Sequence, residues 1–157
     1  DKAFAEIRRV LKAGKMFSLT YHSLSGLEWK AITNACIKNG FDLVNFEWLV
    51  QKSFTPRQIN RIKTIKGDVL VTLKKPNTPK KYQQESDEVT EKLFIKSIKQ
   101  WLINDNLDTN QIFLRIMEMV FSERIVIGNV NLLDILIKQF RLTEDNKWAT
   151  NDELKIC

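Results

Sequence analysis

The sequence predicts an α/β sheet followed by a small α+β unit. Three observations lead there. In the first half, stretches with helical apolar spacing alternate with short apolar or β-branched runs, the pattern of a parallel α/β sheet. The polar stretch "PNTPKKYQQESDE", residues 76–88, then interrupts with two prolines and no apolar period. After it the sequence reads as three helices and a hairpin, the order of a winged-helix-like unit. The boundaries that follow are 1–76, a linker at 77–87, and 88–157.

In the first part, Phe4, Ile7, Arg8, Val10 and Leu11 have helical spacing, and Gly14 stands where a left-handed stop would end the helix. "MFSLTY", Met16 to Tyr21, is apolar and aromatic, as a buried strand should be. Ser23 or Ser25 can cap the next helix, with Glu28 in its first turn. That helix presents Leu27, Trp29, Ile32, Ala35, Cys36 and Ile37 and stops at Asn39-Gly40. "FDLVNFEWLV", Phe41 to Val50, is a second strand in which Leu43, Asn45 and Glu47 alternate with Val44, Phe46 and Trp48. "DVLVTLKK", Asp68 to Lys75, is a third. Three strands seldom make a stable open sheet alone, so further strands are expected upstream of Asp1.

In the second part, Val89 to Ile103 is a helix with Leu93, Phe94, Ile98, Trp101 and Leu102 inward. "LDTNQIFLRIMEMVF" is another, capped by Asp108 or Thr109, with Ile112, Phe113, Ile116, Met119 and Val120 inward. "NVNLLDILIKQF" is the last. "FRLTEDNKWAT" is a hairpin with its turn between Leu142 and Trp148, and Trp148 is expected to pack back on the helices. No repeat links the halves.

The totals bound the function. The chain has 157 residues and a formal net charge of +6, a mild pointer to a polyanionic partner. It has two cysteines, Cys36 and Cys157, and one histidine, His22. Those numbers give little support to a disulfide framework, a histidine-rich metal site or triad hydrolysis. No apolar stretch approaches the ~20 residues that span a bilayer, and no signal peptide is visible. A reduced, cytoplasmic protein is expected, with no membrane partner.

"EIRRVLKAGKMFSLTYHS" resembles the segment of class I S-adenosylmethionine-dependent methyltransferases in which a helix ends in a motif like "RVLKPGG" and feeds the fifth strand. "WKAITNACIKNGFDLVNFEWLVQKSF" looks like the next helix, with its "GF" stop, and the sixth strand. "KGDVLVTLKKP" looks like the seventh strand, which is antiparallel in that fold. The details are most similar to DNA methylases of the amino type. Ala13 replaces the usual proline and Lys15 the usual second glycine. The resemblance covers Ala3 to Pro76. It implies the last three strands of a Rossmann-like methyltransferase sheet, S-adenosylmethionine as cofactor, and duplex DNA as substrate. The methyl acceptor would be an exocyclic amine, adenine N6, with cytosine N4 as the alternative. It also implies a setting in restriction-modification or phage defence. The glycine-rich cofactor loop and the "(D/N)PP(Y/W)" loop of that family are not in this chain, which has no G-x-G pair. Both are expected upstream, in the N-terminal part of the same protein or in a complementary subunit. No catalytic residue is assigned here, and the chain alone is expected to transfer nothing.

Ligands of open α/β sheets bind beyond the carboxyl ends of the parallel strands. The first strand ends near Tyr21, His22 and Ser23, and the second near Lys52, Ser53 and Phe54. Tyr21, His22, Ser23 and Phe54 are therefore candidate substrate-pocket residues. Phe54 is the only aromatic of the following loop, and stacking of an extracted base is one role for it. Pinning the loop to the sheet is the other. His22 reads as a strand-end or pocket-lining residue, not as a general base. Lys52, Arg57, Arg61, Lys63 and Lys66 fit contact with DNA phosphates, although a solvated loop of ordinary charge would look the same. The third helix of the second part exposes Asn131, Asp134, Lys138 and Gln139, only one of them basic, which favours packing or protein contact over DNA readout. Two further readings stay open. One is a DNA-binding or assembly module with the α/β part as scaffold. The other is a methyltransferase acting on RNA, protein or a small molecule.

Overall fold

The computed structural model describes residues 2–22, 27–49 and 68–151. Helix α1, Lys2–Val10, leads to strand β1, Met16–His22. Gly14 turns the chain between them at φ +76° with nothing within 4 Å of where a side chain would begin, so backbone conformation, not crowding, selects glycine. Helix α2, Leu27–Lys38, crosses to β2, Asp42–Leu49, through Gly40 at φ +70°. Strand β3 spans Asp68–Lys74.

The sheet order is β1-β3-β2, and β3 runs antiparallel to both neighbours. This corrects the parallel sheet expected from alternation, while the antiparallel course of β3 is the one expected of a seventh methyltransferase-like strand. The α2 crossover does make β1 and β2 parallel in direction, but it leaves room for one strand between them, and β3 occupies that gap. Every strand-to-strand pairing is therefore antiparallel. Among the described residues there is no doubly wound, Rossmann-like sheet.

One face of the sheet carries Phe17, Leu19, Tyr21, Val69, Val71, Leu73, Phe46 and Trp48 toward α2. Strand β2 departs from the simple alternation read in its sequence. A register shift between Leu43 and Asn45 resets the period, so Leu43 and Phe46 both reach the core while Val44 is exposed. Val10 is also exposed, because the apolar side chains that pack against the core here are Phe4 and Ile7 of α1 and Leu11 just after it. The end of α1 is tied to β3 by Lys75, whose Nζ donates to the Arg8 and Leu11 carbonyls at 2.6 Å each, satisfying carbonyls that a helix end leaves open.

The second part holds α3, Asp87–Asn104, α4, Thr109–Glu123, and α5, Leu132–Gln139, followed by the hairpin strands β4, Phe140–Leu142, and β5, Trp148–Thr150. The Asp108 carboxylate accepts from the Gln111 N–H at 2.9 Å, and the Gln111 side chain accepts from the Asp108 N–H at 2.9 Å, a reciprocal cap that starts α4. Trp148 packs back as expected, and its indole N–H donates to the Thr109 hydroxyl at 2.9 Å. The hairpin forms a separate two-stranded sheet with three residues a strand, and this arrangement does not display a winged helix. The described chain is thus a small mixed α/β protein with five helices and two small antiparallel sheets.

One hydrophobic cluster runs through both parts. Trp29 of α2 meets Phe113 of α4 edge to face at 5.4 Å. The Asn34 amide and the Ile127 backbone exchange two hydrogen bonds of 2.7 and 2.8 Å. The stretch between the parts is not a free tether. The Gln83 backbone donates to Arg124 O at 2.9 Å and accepts from Val126 N at 2.8 Å.

Candidate functional site

Strands β1 and β2 end together. His22 and Leu49 both face Asp68, the first residue of β3, from opposite sides. This is the edge at which the sequence places a substrate. Tyr21 lies there, half-buried, with its ring edge-on to Trp29 at 5.8 Å. Trp29 is fully buried and also touches Phe46 at 5.3 Å and Trp48 at 5.5 Å. The aromatic cluster forms a floor beneath the strand ends.

Two polar atoms in that floor are enclosed. Among the described residues, neither the Tyr21 hydroxyl nor the Trp29 indole N–H has a hydrogen-bond partner. Such a group costs about 1–3 kcal/mol unless something pairs with it. Burial, and then the neighbouring Cys36 sulfur, push the Tyr21 hydroxyl far above its usual range, so it is a neutral donor or acceptor and never a base at ordinary pH. Burial pushes the Cys36 thiol up to about 12. It is protonated at neutral pH and buried, which makes it a poor nucleophile. No group of metal-binding side chains occurs among the described residues.

Of the residues chosen from sequence, Tyr21 is placed with its side chain, and His22 is placed as the last residue of β1. Ser23, Lys52, Phe54, Arg57, Arg61, Lys63, Lys66 and Cys157 lie outside the described residues, as do the Ser23 and Ser25 caps. No described helix is long and apolar enough to cross a membrane.

Two constellations escaped the sequence reading. The first is Arg124, which ends α4 in the left-handed region at φ 56° and turns its guanidinium inward. It donates to Asp42 Oδ1 at 3.0 Å, to Phe41 O at 3.1 Å and to Ile37 O at 3.0 Å. Burial pulls its pKa below the usual arginine value, Asp42 opposes that shift, and nearby Arg8 adds to it. These bonds tie α4 to the end of α2 and the start of β2.

The second is a cavity of about 500 Å³ at the opposite end of the sheet from His22 and Leu49, lined by Arg8, Lys38, Asn39, Gly40, Lys81 and Tyr82 with Pro79 and Lys80. Arg8 donates to Gly40 O at 2.9 Å and lies over the Phe41 ring at 5.7 Å. Its lining holds four cationic side chains and no carboxylate. They come from three separate stretches of chain, so no run in the sequence announces them.

Compared with protein-family models, curated proteins and solved structures, the chain matches none.

Proposed function

We propose that this chain is the C-terminal part of an S-adenosylmethionine-dependent methyltransferase. Its substrate would be an exocyclic amine of duplex DNA, adenine N6 ahead of cytosine N4. In the same reading β1, β2 and β3 are the last three strands of a Rossmann-like sheet, and 88–157 is a winged-helix-like unit that serves packing or protein contact. A cytoplasmic setting goes with it. The cofactor would be held by the part expected upstream of Asp1 or by a complementary subunit. This chain would contribute Tyr21, His22 and Ser23 at the strand ends, with Phe54 and the basic residues of the loop toward DNA.

The observation that supports the reading is the arrangement around the two glycine turns. A helix ends at Val10, and a turn through left-handed Gly14 feeds β1. A second helix stops at a left-handed Gly40 and feeds β2, and the final strand runs antiparallel to both. The glycine turns lie where the methyltransferase-like motifs place them, although the first helix ends earlier, at Val10, and an antiparallel final strand is what the motifs predict for β3.

The test is transfer of labelled methyl from S-adenosylmethionine to duplex DNA, comparing the product of the whole gene with this chain alone. Label in DNA from the whole product and none from the chain alone is the expected result, and digestion to nucleosides then names the base. No label from the whole product, with an active control beside it, rejects the reading.

A further inference from the structure

We propose that the cationic cavity beside Gly40 binds single-stranded nucleic acid, holding backbone phosphates with Arg8, Lys38 and Lys81 and stacking a base on Tyr82. The inference does not rest on methyl transfer. It concerns the end of the sheet away from the strand ends where a methyl acceptor would sit.

The charge argument comes first. Arg8 reaches the cavity from α1, Lys38 from the last turn of α2, and Lys80 and Lys81 from the segment that crosses between the two parts. Lys80 is partly neutralised by Asp42 at 3.3 Å. The other three face a cavity whose lining has no carboxylate, so their fields add. A lysine in the last turn of a helix is favourable in itself, because it faces the negative end of the helix dipole. That accounts for Lys38 but not for Lys81, which belongs to no helix.

Rigidity is the second point. Arg8 is fixed by the Gly40 carbonyl and the Phe41 ring, which leaves the rest of its planar fork pre-organised for an anion. A side chain at Gly40 would come within 3.2 Å of both Arg8 Nη1 and Pro79 Cβ, so glycine keeps this floor open.

Shape and the aromatic decide the ligand. Tyr82 lines the cavity and is 46% exposed, a large apolar ring left in water next to three cations. Cations that track a backbone beside an aromatic that accepts a base face form the usual platform for single strands, and stacking contributes about 1–3 kcal/mol per base. In a duplex the bases are already stacked and would leave Tyr82 idle.

The experiment is a titration of the whole chain with a fluorescent single-stranded oligonucleotide over a range of salt. Three variants are compared with the parent. K38E/K81E removes two of the cations, and K96E/K138E makes the same charge change at exposed sites elsewhere. Tyr82→Ala removes the platform. Melting temperatures of all four proteins are recorded beside the titration. The expected result is at least tenfold weaker binding by K38E/K81E and a log–log salt slope smaller by about 1.4, since each single-strand phosphate contact contributes about 0.7. Tyr82→Ala should weaken binding at least fivefold, and K96E/K138E should leave the slope unchanged. Equal losses in the two charge variants would overturn the site in favour of diffuse attraction. Unchanged binding by Tyr82→Ala, or a loss of duplex affinity in K38E/K81E as large as the loss of single-strand affinity, would overturn the single-strand assignment. Competition by inorganic phosphate as strong as by oligonucleotide at equal phosphate would mark a simple anion site and overturn it as well.

Discussion

Arg124 is the one charged side chain among the described residues that is buried. A guanidinium taken out of water loses hydration, and only several good hydrogen bonds offset that loss. Arg124 makes them to two backbone carbonyls and one carboxylate through Nη1 and Nη2, while its buried Nε has no partner among the described residues. Arg124→Met would keep much of the volume and leave the Ile37 and Phe41 carbonyls without that partner. We expect a loss of about 3 kcal/mol, read as a lower urea midpoint at unchanged slope. Arg115→Met is the contrast. Arg115 pairs with Asp105 at 2.8 Å, but both side chains are more than a third exposed, and such a pair contributes about 0–1 kcal/mol. Equal losses in the two variants would refute the role given to Arg124. The sequence could not single it out, because an arginine at a helix end ordinarily points into water. Tyr21 was legible as a strand-end aromatic, but its enclosed hydroxyl depends on Trp29 and Cys36, which arrive from another element.

At the scale of elements, what could be read was what local chemistry signals. Gly40 stops its helix with positive φ, as its position implied, whereas α1 already ends at Val10 and Gly14, also at positive φ, serves the turn that follows before β1. Asp108 caps α4, and Gln111, three residues on, completes the reciprocal pair. Neighbour relations are not local: alternation implied parallel pairing, and the antiparallel β3 was expected only from the methyltransferase-like segment Lys66–Pro76. Alternation of helices and strands does not say whether a third strand joins the edge of the sheet or enters the gap between the first two. The period in β2 was misread for a similar reason, since one extra residue at Val44 is invisible unless the partner strand is known. Asp108 joins two elements, for its other oxygen lies 3.5 Å from Lys147 in the hairpin turn. Asp108→Ala should cost about 1 kcal/mol of stability, and amide exchange should rise first at the start of α4 and in the turn. A uniform rise across the whole chain instead would mean that the cap does not act locally.

For the whole molecule, the important fact is that the two parts share their interior. Trp29 and Phe113 touch, and the buried Thr33 hydroxyl contacts the Met117 sulfur at 3.3 Å. The division of the chain drawn from its proline-containing stretch therefore marks a change of pattern across which packing continues. Such a core should melt together. Trp29 and Trp48 report the first part, and Trp101 and Trp148 the second, so tryptophan fluorescence and far-ultraviolet circular dichroism should trace one coincident transition in urea. Phe113→Ala should lower stability by about 3–5 kcal/mol and move both signals equally. Two separated transitions would show that the parts unfold independently.

The pairing of α2 with α4 also has a consequence for how the chain is made. Thr33 and Met117 are 84 residues apart, and the fully buried Trp29 ring has its lid in Phe113 of the same late helix. Synthesis adds about 5–20 residues per second, and Lys74 at the end of β3 precedes Met117 by 43 residues, so the completed first sheet waits roughly 2–9 s for the helix that covers it. During that interval its inner aromatics face the ribosome exit and the chaperones that gather there. A nascent chain stalled before α4 would be the form those chaperones hold longest.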